Sequence, residues 1–117
     1  MGQLPNNYRI LNVSIADIST ASSAWVVSPC DGYIKEIYSV IDAAITTADG
    51  VITAKIATVA VTGGAITVTQ SGSAAGDVDV VYPTALNYVT KGQAIEFAAS
   101  GACDTTCVGR ITVVIAD

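Results

Sequence analysis

From Trp25 onward the chain is a succession of short β-branched runs, cut every roughly ten residues by clusters of Gly, Asp, Ser and Thr. No segment of helical length carries a clean 3.6-residue period, so the pattern admits strands and turns and little else. With 117 residues there is room for one core and no second module. About eight short antiparallel strands predict an all-β single domain, a β-sandwich or small barrel of jelly-roll type. Residues 1–9, polar and carrying Pro5 with Asn6 and Asn7, read as an N-terminal arm. Residues 10–117 read as the β domain.

Individual runs give more specific expectations. Arg9 to Ile15 alternates loosely and predicts a first strand, and Ala24 to Ser28 a second, stopped by Pro29 and the Asp31-Gly32 turn. Tyr33 to Ile41 is the longest strand. Strict alternation there puts Ile34, Glu36, Tyr38 and Val40 on one face and Tyr33, Lys35, Ile37, Ser39 and Ile41 on the other. Val51 to Ala57 turns Ile52, Ala54 and Ile56 inward. Val59–Thr62 and Ala65–Thr69 are separated by Gly63-Gly64, which predicts a hairpin. Trp25 and Tyr38 lie inside apolar strands and are expected in the core, whereas Tyr8, Tyr82 and Tyr88 are expected at the surface.

The chemistry available to such a scaffold is narrow. The chain has no histidine, the side chain best suited to proton transfer near neutral pH and the commonest metal ligand. Without it, the many serines and threonines lack an activating base, so no catalytic set is expected. Asp77 and Asp79 stand two apart without further ligands at calcium-loop spacing, and read as a solvated face. Cys103 and Cys107 fit either a local disulfide across a turn or a pair of free thiols, with Cys30 left over. Three cysteines without histidine fall short of a zinc site, and no metal or other cofactor is expected.

Charge excludes further classes. The net charge is −5, and Arg9, Lys35, Lys55, Lys91 and Arg110 are scattered singly, which argues against nucleic acid and against an anionic membrane surface. No apolar run approaches the roughly 20 residues of a membrane span. The first residues lack the basic start and apolar block of a secretory signal, so synthesis in a cytoplasm is expected. Only 13% of residues are charged, against roughly 25% in ordinary globular chains. Much of the outside must therefore be small or apolar, and some of it covered by other copies or by a partner protein.

Several runs carry a family resemblance: Asp17 to Ser23, Gly32 to Asp42, Ala44 to Asp49, Val61-Thr62-Gly63-Gly64-Ala65-Ile66-Thr67-Val68, and Ser71-Gly72-Ser73-Ala74-Ala75-Gly76-Asp77-Val78-Asp79. In this order they resemble the β-rich decoration, or cement, proteins of tailed-bacteriophage heads, over roughly residues 17–115. The Cys103–Cys107 loop is outside that pattern. The resemblance implies a virion protein that binds the exterior of an expanded head, clamps neighbouring subunits of the major capsid protein, and forms a homotrimer. It implies no small-molecule substrate. Gln3, Leu4, Pro5, Asn7, Tyr8 and Ile10 are the expected capsid contacts, ordering on the shell by adding a strand to an exposed edge. Removing residues 2–8 should then abolish shell binding without unfolding the domain. The alternatives are a carbohydrate-binding or adhesion module on a virion surface, or a small subunit of a fibre or tail.

Overall fold

The computed structural model describes residues 8–116, so Gln3, Leu4, Pro5 and Asn7 lie outside the described residues. Nine strands form two antiparallel sheets: β1 (Tyr8–Ile15), β2 (Ser22–Val27), β3 (Gly32–Ile41), β4 (Gly50–Ile56), β5 (Val59–Val68), β6 (Val78–Val81), β7 (Tyr88–Val89), β8 (Ala94–Ala99) and β9 (Gly109–Ala116). One sheet runs β1-β9-β3-β6, with β7 also on β3, and the other runs β2-β8-β4-β5. With β7 set aside, the pairs β1/β9, β2/β8, β3/β6 and β4/β5 are nested like the two halves of one long hairpin rolled over itself. That is jelly-roll topology, and the expected β-sandwich is the observed one.

The space between the sheets is filled mainly by isoleucine. Ile34, Ile37, Ile95 and Ile115 are fully buried around Phe97, the single phenylalanine. β-Branched side chains stand stiffly off a pleated surface and suit a gap of about 10 Å between two inner faces. Burying each is worth roughly 1.5–3 kcal/mol relative to exposure. In β4 the core face is Ile52, Ala54 and Ile56, as the alternation requires.

Three expectations fail for identifiable reasons. In β3 the pairing steps from Ile34↔Ile115 to Glu36↔Val114, leaving Lys35 as a bulge. The bulge shifts the inward phase, so Ile34 shares the core face with Ile37, Ser39 and Ile41 and not with Glu36, Tyr38 and Val40. Gly63-Gly64 does not make a hairpin. The reversal before it is the two-residue Ala57-Thr58 turn, both residues at positive φ, and β5 runs on through the glycines. There the register jumps from Thr53↔Ala65 to Lys55↔Ala60, and the extra residues bow out so that Thr62 pairs with Ala85. Gly63 at φ 77 supplies the left-handed kink; a glycine pair signals positive φ, which serves a bulge as well as a turn. Finally, Trp25 is 61% exposed, because β2 turns Ala24 and Val26 inward. Tyr38 is half-buried on an outer face, its hydroxyl donating to Glu36 at 2.6 Å.

Asp79 is less solvated than an isolated strand carboxylate. It sits directly across from Ser39, whose buried Oγ has no hydrogen-bond partner among the described residues. Partial burial, followed by the nearby Asp77 carboxylate, pushes the Asp79 carboxyl above its usual pKa. A carboxyl raised on folding favours the fold while protonated and loses that contribution as pH climbs through its folded pKa. Asp79→Asn is therefore expected to raise the thermal midpoint at pH 7. The gain should vanish in acid, where the wild-type carboxyl is itself protonated, and thermal melts across pH check both halves.

Candidate docking surface

The topology divides the loops between the two ends of the sandwich, and charge follows that division. The connections 16–21, 42–49, 69–77 and 100–108 all lie where Ile15, Ile41 and Gly109 meet in register, and where Gly50 meets Val68. They hold Asp17, Asp42, Asp49, Asp77 and Asp104, and neither lysine nor arginine. Arg110, just inside β9, ion-pairs with Asp42 at 3.7 Å, and Asp79 stands near Asp77, so carboxylates outnumber cations at this end.

Each of the five aspartates also clips a loop in place. Asp17 Oδ1 accepts from Ser19 N at 3.0 Å, from Ser19 Oγ at 2.6 Å and from Cys107 N at 3.2 Å. The Ser19 hydroxyl and amide hold its carboxyl below its usual pKa. Asp42 Oδ1 accepts from Val108 N, Asp49 Oδ1 from Gln70 N, and Asp77 Oδ2 from Ala74 N. Thr47 Oγ1 donates to Asp104 Oδ2 at 2.7 Å. A carboxylate that accepts a backbone N–H satisfies an otherwise unpaired donor while staying charged and wet.

Cys103 and Cys107 sit beneath this acidic end as free, buried thiols, not as the disulfide their spacing permits. Each is turned to a different loop: Cys103 Sγ lies 3.7 Å from Ile18 O, and Cys107 Sγ 3.4 Å from Ala43 O. Burial pushes the Cys103 thiol above its usual pKa. Among the described residues no cluster of three histidine, cysteine or carboxylate side chains could hold a metal ion.

The opposite end, where Asp31, Lys35 and Lys91 also lie, is largely apolar at its surface. Val27, Tyr33, Val59, Tyr82, Leu86 and Tyr88 are all exposed there. Tyr8, Ala116, Tyr33 and Tyr88 form one cross-strand row over β1, β9, β3 and β7. The rings of Tyr33 and Tyr88 meet edge to face at 4.9 Å, and Lys35 Nζ stands 5.2 Å from the Tyr33 ring centroid. Both arrangements are favoured by the ring quadrupole, so the pair is fixed before anything binds it.

The loop from Tyr82 to Asn87 is fixed too. Thr84 N donates to Thr62 O and Thr62 N to Ala85 O, using the bulge in β5. Asn87, buried, donates from Nδ2 to Ile34 O at 2.8 Å, while its own carbonyl accepts from Ile34 N. Between these clamps Leu86 is held at φ 54 with 64% of its surface exposed. A non-glycine residue there costs roughly 1–3 kcal/mol, and such strain gathers at functional sites. Here it holds a leucine out in water next to three tyrosines.

Of the residues the sequence nominated as contacts, Tyr8 and Ile10 fall among those described. Both lie on the outer face of β1, Tyr8 within the tyrosine row and Ile10 beside it, opposite Val114. Tyr8 and Arg9, assigned to the arm, pair with Ala116 and Ile115 as the first residues of β1. Tyr82 and Tyr88 are exposed as expected. Tyr33 and Leu86 were not foreseen. The bulge at Lys35 that re-aims β3 has no sequence mark, and Leu86 stands in a loop without periodicity.

No protein-family model matches the chain, and no curated protein matches it. Solved structures do share its fold. CsCBM6-3 from Clostridium stercorarium, determined in complex with cellobiose, superposes with a TM-score of 0.52 at 11% identity, over 97% of this chain and 84% of that one. A chain of the capsid asymmetric unit of cyanophage Pam1 superposes with a TM-score of 0.50 at 19% identity, over 94% of this chain and 84% of that one. At these identities the shared property is the β-sandwich fold.

Proposed function

We propose that this chain is a non-enzymatic decoration module of a phage head: it binds the outside of the expanded shell through its apolar, tyrosine-rich end, as a homotrimer. The carrying observation is the segregation of its surface, with rigid apolar anchors at one pole and the five loop aspartates at the other. A largely apolar patch, its Lys35 ammonium held over the Tyr33 ring, leaves little charge to desolvate in the interface. The acidic loops, left in water, repel other particles and keep decorated heads dispersed. Three linked copies turn weak contacts into avid attachment. The fold shared with a chain of the Pam1 capsid asymmetric unit and the sequence resemblance to head decoration proteins both support the reading.

The described part of the chain begins at Tyr8, which shares the cross-strand row of Ala116, Tyr33 and Tyr88. The truncation should stop at residue 7, since Tyr8 is part of β1. A carbohydrate-binding role would use a different surface, the outer face of the other sheet, and is compatible with attachment through this one.

Sedimentation equilibrium against the 11.9 kDa chain, followed by co-sedimentation with expanded and unexpanded heads, tests the proposal. A trimer indifferent to reductant that pellets only with expanded heads is the expected result. A monomer that pellets with neither overturns it.

A further inference from the structure

The outer face of the second sheet is built unlike the docking pole. In register across β2, β8 and β4 stand Trp25, Glu96 and Lys55, spanning roughly 10 Å over two strand spacings. Along the strands this row is flanked by Ser23, Ala94, Ala98 and Thr53, and by exposed Val27 beside Trp25, so the aromatic ring rises from a floor of mostly small side chains. Ser23 Oγ donates to Glu96 Oε2 at 2.7 Å and fixes the carboxylate beside the indole. Glu96 Oε1 has no hydrogen bond, and Lys55 neither hydrogen bond nor ion pair, among the described residues. A fixed acceptor and a free donor therefore stand next to an exposed apolar plate.

We infer that this face binds a neutral saccharide, one pyranose ring stacking on Trp25 while hydroxyls of the ring and its neighbour bond to Glu96 and Lys55. The inference does not rest on shell binding. A pyranose presents an apolar C–H face to an aromatic plate and hydroxyls at its rim that both donate and accept, which complements indole, carboxylate and ammonium in one row. Charge selects the class: Glu96 and Lys55 sum to zero, so a neutral sugar meets no net field here. An acidic one would meet Glu96 on a chain of net charge −5. A protein partner fits less well, because interface anchors are ringed by further apolar contacts, and exposed Val27 is the one large apolar neighbour flanking Trp25 on the strand.

Trp25 is the single tryptophan of the chain, so its emission reports this site alone. The full chain is titrated with cellohexaose, xylohexaose and galactotetraose, and with a galacturonate hexamer as the acidic counterpart. A saturable emission shift in the millimolar range with at least one neutral sugar, and little with the acidic one, is expected. Glu96→Gln and Lys55→Met should each weaken that binding by about five- to tenfold, the worth of one hydrogen bond. Trp25→Ala, read by calorimetry, should abolish it, keeping native mass and shell co-sedimentation unchanged. The inference is overturned if no neutral sugar shifts the emission up to its solubility, or if the acidic hexamer binds as well. It is equally overturned if Trp25→Ala lowers the native mass or shell binding, which would make Trp25 a protein contact.

Discussion

A chain carrying Tyr33→Ser and Leu86→Ser is expected to lose at least about 100-fold in affinity for expanded heads while keeping its thermal midpoint within a few degrees. Interface energy concentrates in a few preorganised aromatic and aliphatic anchors, each costing about 2 kcal/mol or more when truncated. These two are the best candidates at the apolar pole. Tyr33 is braced by the Tyr88 ring and Lys35, and Leu86 is presented by a loop clamped at Thr62 and Ile34. Neither contributes much to the core, being 43% and 64% exposed, so the fold has little to lose. Val78→Ser supplies the control. Val78 is just as exposed, at 62%, but starts β6 at the acidic end, opposite Val40. Co-sedimentation with each variant separates a docking pole from general stickiness: if Val78→Ser costs as much as the double substitution, the assignment of the pole falls.

What the sequence disclosed about this molecule follows from which features have a local signature. The alternation Ile52, Ala54, Ile56 marks a core face because a strand has a period of two, and the structure keeps it. The Gly63-Gly64 pair marks positive φ but not its use, which here is a bulge and not the turn the pattern predicts. The actual turn, Ala57-Thr58, carries no glycine at all, and its conformation is imposed by the strands it joins. Hydrophobicity alone predicts Trp25 inside, while the register of β2 on β8 decides which face it takes. The docking pole was legible only in pieces. Tyr82 and Tyr88 stand out as loop tyrosines, yet their union with Tyr33, Leu86 and Tyr8 comes from pairings as distant as Tyr8 with Ala116. The polarity of charge was hidden for the same reason. The five aspartates are dispersed along the chain, and only the nested strand order gathers their loops at one end.

Gly101→Ala is expected to be the most damaging single-methyl substitution in the domain, costing roughly 3–5 kcal/mol. A Cβ at Gly101 would lie 2.4 Å from Ala21 N and 3.0 Å from Thr20 C, closer than any real side chain approaches backbone. The obstructing atoms belong to the turn between β1 and β2, which cannot retreat cheaply, because Thr20 N donates to Asp17 O and Asp17 in turn holds Cys107 N. Gly72→Ala isolates the cause. Gly72 shares the φ of 74 but has nothing within 4 Å of the added methyl, so it should cost only about 1 kcal/mol for its left-handed backbone. The difference between the two variants, read from chemical denaturation, measures the crossing of loops 16–21 and 100–108 alone. For a domain stable by about 5–15 kcal/mol, the larger loss leaves much of the Gly101→Ala population folded near room temperature or nearly unfolds it. Because the crossing lies at the acidic end, whatever folded protein remains should bind heads with its affinity unaltered; a parallel loss of affinity would mean that the two ends are coupled, and that docking draws on loops the apolar pole does not contain.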